Sequence, residues 1–194
     1  MKTSFIALMT ASMISGMAVA AQPVFYPSAP DQPRIQFLKT INGGSFFAAG
    51  NSYGNRFPEF EAGTQKEASP IGKSYGIASA PGKIYICDMT ARAIKVLDLD
   101  KKFINNFGSE NLQSPLNIVV DTDGTKYVAD GELKQIVKFD ANNKFIGTLG
   151  LKGDLAKMKP TDLLLLKGNL YVADAKNSQI VVMNPKTGVE ISRF

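Results

Sequence analysis

The chain has 194 residues, 44% of them apolar and 20% charged, an ordinary globular balance that excludes a wholly disordered protein. Its net charge of +5 is mild and scattered among acids, so neither nucleic acid nor an anionic membrane surface is expected as a partner. It has no histidine and one cysteine, Cys87, which excludes Ser-His-Asp and Cys-His catalysis, His-based zinc sites and an internal disulfide within these residues.

Residues 1–20, MKTSFIALMTASMISGMAVA, combine an early Lys2, an apolar middle and small residues at Ala18 and Ala20. This is the pattern of a signal-peptide helix cleaved after Ala20 or Ala21, and it implies export to the periplasm or the extracellular space. Thr10, Ser12, Ser15 and Gly16 dilute the stretch too much for a comfortable membrane anchor, so no span is expected after cleavage. Residues 21–33 carry Pro23, Pro27, Pro30 and Pro33 and read as an extended linker. Residues 34–42, RIQFLKTIN, read as a single strand whose Phe37-Leu38-x-x-Ile41 matches Phe145-Ile146-x-x-Leu149 further on. Residues 43–73 form a connecting segment in which Phe46, Phe47, Phe57 and Phe60 serve as local anchors.

From residue 74 the chain repeats itself. GKIYICD (82–88), GTKYVAD (124–130) and GNLYVAD (168–174) place Asp residues at 88, 130 and 174, 42 and 44 apart. An Ile follows each Asp at plus six (Ile94, Ile136, Ile180), and Asp98, Asp140 or Asn184 stands at plus ten. An apolar run precedes each Gly and another closes each unit, as in KFINNFG and KFIGTLG. Four β-prone runs in 40 to 45 residues, separated by turn signals such as PG and DTDG, are the signature of a propeller blade. The fold class is therefore all-β, a partial β-propeller with blades at 74–114, 115–159 and 160–194. Residues 34–42 are an orphan strand that would close the ring. Three blades cannot close one, so the chain is expected to be the N-terminal portion of a longer, six-bladed protein; an arc completed by oligomerisation is the alternative. The blade number and the oligomeric state are left open.

Each repeated letter has a physical use. Gly82, Gly124 and Gly168 fall where the first hairpin must turn through positive φ. Tyr85, Tyr127 and Tyr171 put rings between neighbouring blades, with small Cys87, Ala129 and Ala173 two positions on along the same face. Asp88, Asp130 and Asp174 end a strand and accept backbone N–H groups in the following turn. A residue required at every blade serves stacking, whereas chemistry requires a residue once; these Tyr and Asp residues are therefore read as structural.

Residues 74–194, through the YVAD phrases, the IKVLD, IVKFD and IVVMN strands and the KFI-x-x-[FL]-G strand, resemble the NHL-repeat β-propeller family. The resemblance implies an Asn and Arg in the turn after Asp; here that turn reads MTARA, GELKQ and AKNSQ. It implies a fold more than an activity.

No phosphate-cradling glycine motif occurs, and no acid present in a single copy is expected on the channel strands. DTDG at 121–124 resembles the opening of a calcium loop, but its distal ligand falls on Glu132, and a hairpin turn accounts for the phrase. No catalytic residue, metal or cofactor is therefore assigned. Arg92, Lys134 and Lys176, in the turns after the second strands, form a possible basic rim, with Lys152, Lys157 and Lys159 in a neighbouring connection. Binding of a protein or cell-envelope polymer is the first functional reading. A propeller enzyme, a lactonase-like hydrolase or a lyase with its metal ligands elsewhere, is the second.

Overall fold

The computed structural model describes residues 24–27, 30–32, 35–37, 70–150 and 157–194. The signal-peptide reading, the four phenylalanine anchors, Lys152 and residues 38–42 lie outside them. Two compact units divide the chain, residues 1–40 and 41–194.

In the first unit, β1 (Val24–Tyr26) and β2 (Ile35–Phe37) pair antiparallel, with Val24 opposite Phe37. Part of the Pro-bearing segment is thus a strand, and it pairs with the one expected from residues 34–42.

The second unit is three four-stranded antiparallel meanders. The first comprises β3 (Ser74–Ala80), β4 (Lys83–Asp88), β5 (Ala93–Asp98) and β6 (Phe103–Phe107). The second comprises β7 (Pro115–Val120), β8 (Lys126–Asp130), β9 (Gln135–Phe139) and β10 (Phe145–Leu149). The third comprises β11 (Pro160–Leu166), β12 (Asn169–Asp174), β13 (Gln179–Met183) and β14 (Glu190–Arg193). The hairpin glycines Gly82, Gly124 and Gly168 have φ of +67°, +83° and +78°, the left-handed region that a side chain resists. The first strands β3, β7 and β11 pack beside one another across sheets, making them the inner strands of a partial propeller.

Cross-strand register assigns the faces. Ala78, Tyr85 and Val96 stand opposite one another, as do Val119, Tyr127 and Lys138, and Leu164, Tyr171 and Val182. The side bearing these residues is the second face of each sheet and the opposite side its first; on the first sheet the second face, with Cys87 and Ile94, is buried together with Ile118, Val128, Val137 and Phe139 of the second sheet. The second sheet repeats the arrangement: Tyr127, Ala129, Ile136 and Leu149 are buried with Leu163, Leu170, Val172, Val181 and Met183 of the third. Phe107 and Phe139 meet edge to face across the first boundary, ring centroids 4.9 Å apart. Burying a Tyr, Ile or Val side chain is worth ~1.5–3 kcal/mol, so these seams are the principal source of cohesion between sheets.

Candidate functional site

The three repeated Asp side chains sit at equivalent places and are buried. Asp130 Oδ2 accepts the Gln113 and Ser114 N–H groups at 2.7 and 3.0 Å, and Oδ1 accepts those of Glu132 and Leu133 at 3.1 and 2.9 Å. Asp88 takes the Gly72, Thr90 and Ala91 N–H groups at 2.9, 3.0 and 3.1 Å. Asp174 takes the Lys159 and Lys176 N–H groups at 2.9 and 3.2 Å, and the Asn177 and Gln179 side-chain amides at 2.6 and 3.0 Å. Each carboxylate thus ties the loop entering its sheet to the turn after its second strand. Burial alone would push the Asp174 carboxyl up, but its donors outweigh burial and hold it below the ordinary carboxylate range.

With these acids engaged internally, the same turns present other groups to solvent. Arg92 and Lys134 occupy one repeat position, four residues past the Asp, and both adopt the left-handed conformation, with φ of 50° and 57°. The third sheet fills that position with Ser178 (φ 54°). Lys176 lies two residues earlier, so the three expected rim cations share a set of turns but not one repeat position. All three are exposed, as are Lys157 and Lys159.

The inner strands correct one expectation. A β-bulge near the start of each (between Ser74 and Ile77, Pro115 and Asn117, Pro160 and Asp162) shifts the register, so Asn117 and Asp162 stand opposite Ala129 and Ala173. Gly76 occupies the corresponding place in the first sheet. Asp162 is therefore an exposed acid on an inner strand, present in one copy, with Oδ1 accepting the Leu163 N–H at 2.9 Å. Gly76 is forced by proximity: a Cβ there would lie 2.5 Å from the Leu116 carbonyl oxygen and 2.6 Å from Asn117 Cα.

DTDG is a hairpin turn. Asp121 Oδ1 accepts the Thr122 N–H at 2.7 Å, Asp123 Oδ1 the Thr125 N–H at 2.8 Å, and Asp121 N–H donates to the Thr125 carbonyl at 2.8 Å. The Thr125 N–H and hydroxyl hold the Asp123 carboxyl below its ordinary range. Glu132 directs its own N–H to Asp130. Among the described residues no group of three or more His, Cys, Asp or Glu is arranged for a metal ion, and no helix is long and apolar enough to cross a membrane.

At the opposite ends of the strands two lysines complete the seams. Lys126 is buried; its Nζ donates to the Asp140 and Ala141 carbonyls at 2.8 and 3.0 Å and stands 5.7 Å from the Tyr85 ring centroid. Burial holds its ammonium below the ordinary lysine value. Lys138 lies 5.7 Å from the centre of the Tyr127 ring in the second seam. Burial pushes the Tyr127 phenol up to about 12 and raises that of Tyr85. Lys95 is buried on the first face of the first sheet. Buried lysines were not legible as such, because position in an alternating strand does not distinguish a solvated lysine from one laid along a seam. Cys87 is fully buried, and its thiol is pushed up to about 12 by burial.

A shallow cavity of about 280 Å³ lies on the second face of the third sheet, lined by residues that include Thr161, Ala173, Asp174, Ile180 and Phe194.

No family model matches the chain. It is 33% identical over 103 residues, 49% of this chain and 29% of the relative, to a probable peptidyl-α-hydroxyglycine α-amidating lyase of Caenorhabditis elegans. Among solved structures it is similar to a streptogramin B lyase (19% identity, TM-score 0.54, covering 63% of this chain and 41% of that one). It also matches the virginiamycin B lyase of Staphylococcus aureus (14% identity, TM-score 0.51, 64% and 41%) and a chain of a nidogen/laminin complex (17%, TM-score 0.54, 66% and 51%). The chain thus spans under a third of the curated relative and about half or less of these structures. The structural likenesses bear on the fold alone, and that fold is the β-propeller.

Proposed function

We propose that the protein is an exported β-propeller of the NHL-repeat type whose turns after the second strands bind a protein or cell-envelope polymer. The supporting observation is the division of labour in those turns. The repeated carboxylates are engaged with backbone and side-chain N–H groups, while Arg92, Lys134 and Lys176, whose neighbours differ from sheet to sheet, face solvent. A ligand of acidic character suits them. Charge reversal at all three tests this: immobilised chain carrying Arg92→Glu, Lys134→Glu and Lys176→Glu is expected to lose at least about tenfold affinity for purified acidic envelope polysaccharide or an acidic peptide. Binding by the parent chain that the triple change leaves unaltered would refute the rim. Recovery of the mature chain from the periplasm or medium, beginning after Ala20 or Ala21, would support export; an uncleaved cytoplasmic product would contradict it.

The 33% identity to an amidating lyase favours a second reading, a propeller lyase or a lactonase-like hydrolase. A metal assay and turnover screen on the full-length product separates the two. Metal-dependent turnover that survives the triple reversal would favour the enzyme.

A further inference from the structure

The residue that enters each sheet is pinned by the turn after that sheet's second strand. The Lys73, Ser114 and Lys159 carbonyls accept the Met89, Gly131 and Ala175 N–H groups at 2.9, 3.0 and 3.1 Å, which makes the three entering residues equivalent across the repeats. Lys159 also gives its own N–H to Asp174 Oδ1 at 2.9 Å, so its backbone belongs to the third sheet. Its side chain does not stay there. A Cβ built on Gly131, in the turn after β8, would stand 2.7 Å from Leu116 Cδ1 and 3.8 Å from Lys159 Cε. The Lys159 stem therefore crosses the boundary and lies beside Leu116 over the turn of the second sheet.

Gly131 is buried, and its φ lies outside the left-handed region, so its backbone does not require glycine. The first and third sheets carry Met89 and Ala175 at this position. What glycine supplies at 131 is room for Leu116 and for the stem of an incoming lysine. The corresponding place over the first sheet's turn falls to Ser114, which carries no charge, so only the second of the two boundaries receives a cation in this way. Asp130 and Gln135 pair, so Gly131 and Lys134, the residues just inside them, face each other across the turn. Lys134 and Lys159 are both exposed, and neither ammonium has a hydrogen-bond or ion-pair partner among the described residues.

We propose that Lys159, laid over Gly131, and Lys134 of the same turn together bind a carboxylate of an acidic peptide, which makes Lys159 a specificity-determining residue at the boundary between the second and third sheets. The inference rests on the rim reading and adds to it a residue, a place and a ligand class. The Lys159 methylenes and the half-buried Leu116 put apolar surface directly beside the ammonium. That suits an acidic side chain flanked by an apolar one better than a uronate, whose carboxylate is surrounded by hydroxyls. Glu132, exposed on the same turn, offsets part of the charge, so recognition rests on where the two ammonium groups stand rather than on bulk charge.

The test is fluorescence anisotropy of a labelled peptide of alternating Glu and Leu, titrated with the whole chain and its variants. Lys159→Met keeps the stem and removes the charge, whereas Gly131→Met, with the residue the first sheet carries, keeps the charge and evicts the stem. Each is expected to weaken binding about five- to tenfold, and Lys159→Arg to stay within about twofold of the parent. Lys144→Met, an exposed lysine at the opposite ends of the strands, is expected to leave binding unchanged. Thermal melts accompany each variant, and a Gly131→Met chain that melts early leaves the decision to Lys159→Met. Parent-like binding by Lys159→Met, or an equal loss in Lys144→Met, would overturn the proposal and leave the rim standing if reversal of Arg92, Lys134 and Lys176 still abolishes binding. Binding that this reversal leaves unaltered would overturn the rim and the proposal with it. A parent chain that binds polygalacturonate and not the peptide, or neither, would overturn the peptide assignment.

Discussion

Replacing each repeated Asp by Asn keeps side-chain volume and removes one acceptor oxygen, so the cost depends on which donors are stranded. In Asp130→Asn, if the remaining oxygen keeps the Glu132 and Leu133 N–H groups, the Ser114 N–H still reaches it at 3.1 Å, and the new amide strands only the Gln113 N–H. An unpaired N–H inside the fold costs ~1–3 kcal/mol, which is the expected loss. Asp88→Asn strands only the Gly72 N–H and is expected to cost ~1–3 kcal/mol. In Asp174→Asn the side facing Asn177 and Gln179 meets amides that can rotate to present their own oxygens, and the loss is expected near ~1 kcal/mol. At ~2–4 °C per kcal/mol for a chain of this size, Asp130→Asn and Asp88→Asn should each lower Tm by roughly 5 °C. Urea and thermal unfolding of the three variants are the assay, with similar losses at Asp130 and Asp88 and a smaller one at Asp174. A loss at Asp174 as large as the other two would refute the reasoning that backbone donors stranded inside the fold set the cost.

Gly76→Ala drives a Cβ into backbone of the neighbouring inner strand and is expected to cost ~1–3 kcal/mol. Gly168→Ala meets nothing within 4 Å and should cost only the ~1–2 kcal/mol of its left-handed φ; urea titrations of both check the difference in cause, since Gly168→Asn should recover most of its loss and Gly76→Asn none. Cys87, buried with its thiol near 12, is expected to resist iodoacetamide at pH 8 in the folded chain and to react fully in denaturant, as intact mass will show. The folded Asp174 carboxyl is held below its ordinary value, so its contribution to stability is present above the ordinary carboxylate range and lost as pH falls through the lower folded value. Asp174→Asn should flatten the stability profile in that acid window, measured by denaturation between about pH 5 and pH 2.

Much of the fold was legible because two constraints coincide in each repeat: a period of two along strands and a recurrence of turn residues. Gly at the hairpin, Tyr and a small residue on one face, and Asp at the strand end each recur for a reason that can be stated before coordinates are seen. The missed features depend on more than a period of two. Gly76, Asn117 and Asp162 head the aligned runs GIASA, NIVVD and DLLLL, and a bulge common to β3, β7 and β11 keeps them equivalent in the structure. Asp162 is thus a single-copy acid on an inner strand that stands in the open in the sequence, but its letter alone does not distinguish a strand residue from the turn residue before an apolar run. The burial of Lys126 required knowing that the turn after β9 presents the Asp140 and Ala141 carbonyls to it, a contact made between loop and strand end. Ser178, rather than Lys176, shares the position of Arg92 and Lys134, because the position is defined by its left-handed backbone and not by charge.

The claim on which these readings stand is that consecutive repeats are separate sheets laid face to face, with the Tyr-bearing side of one against the aliphatic side of the next. Phe107 and Phe139 belong to adjacent repeats and lie with ring centroids 4.9 Å apart, so selectively labelled chain is expected to give strong NOE cross-peaks between these two rings. Absence of those cross-peaks, together with backbone NOEs placing β6 directly alongside β7 in one continuous sheet, would contradict it.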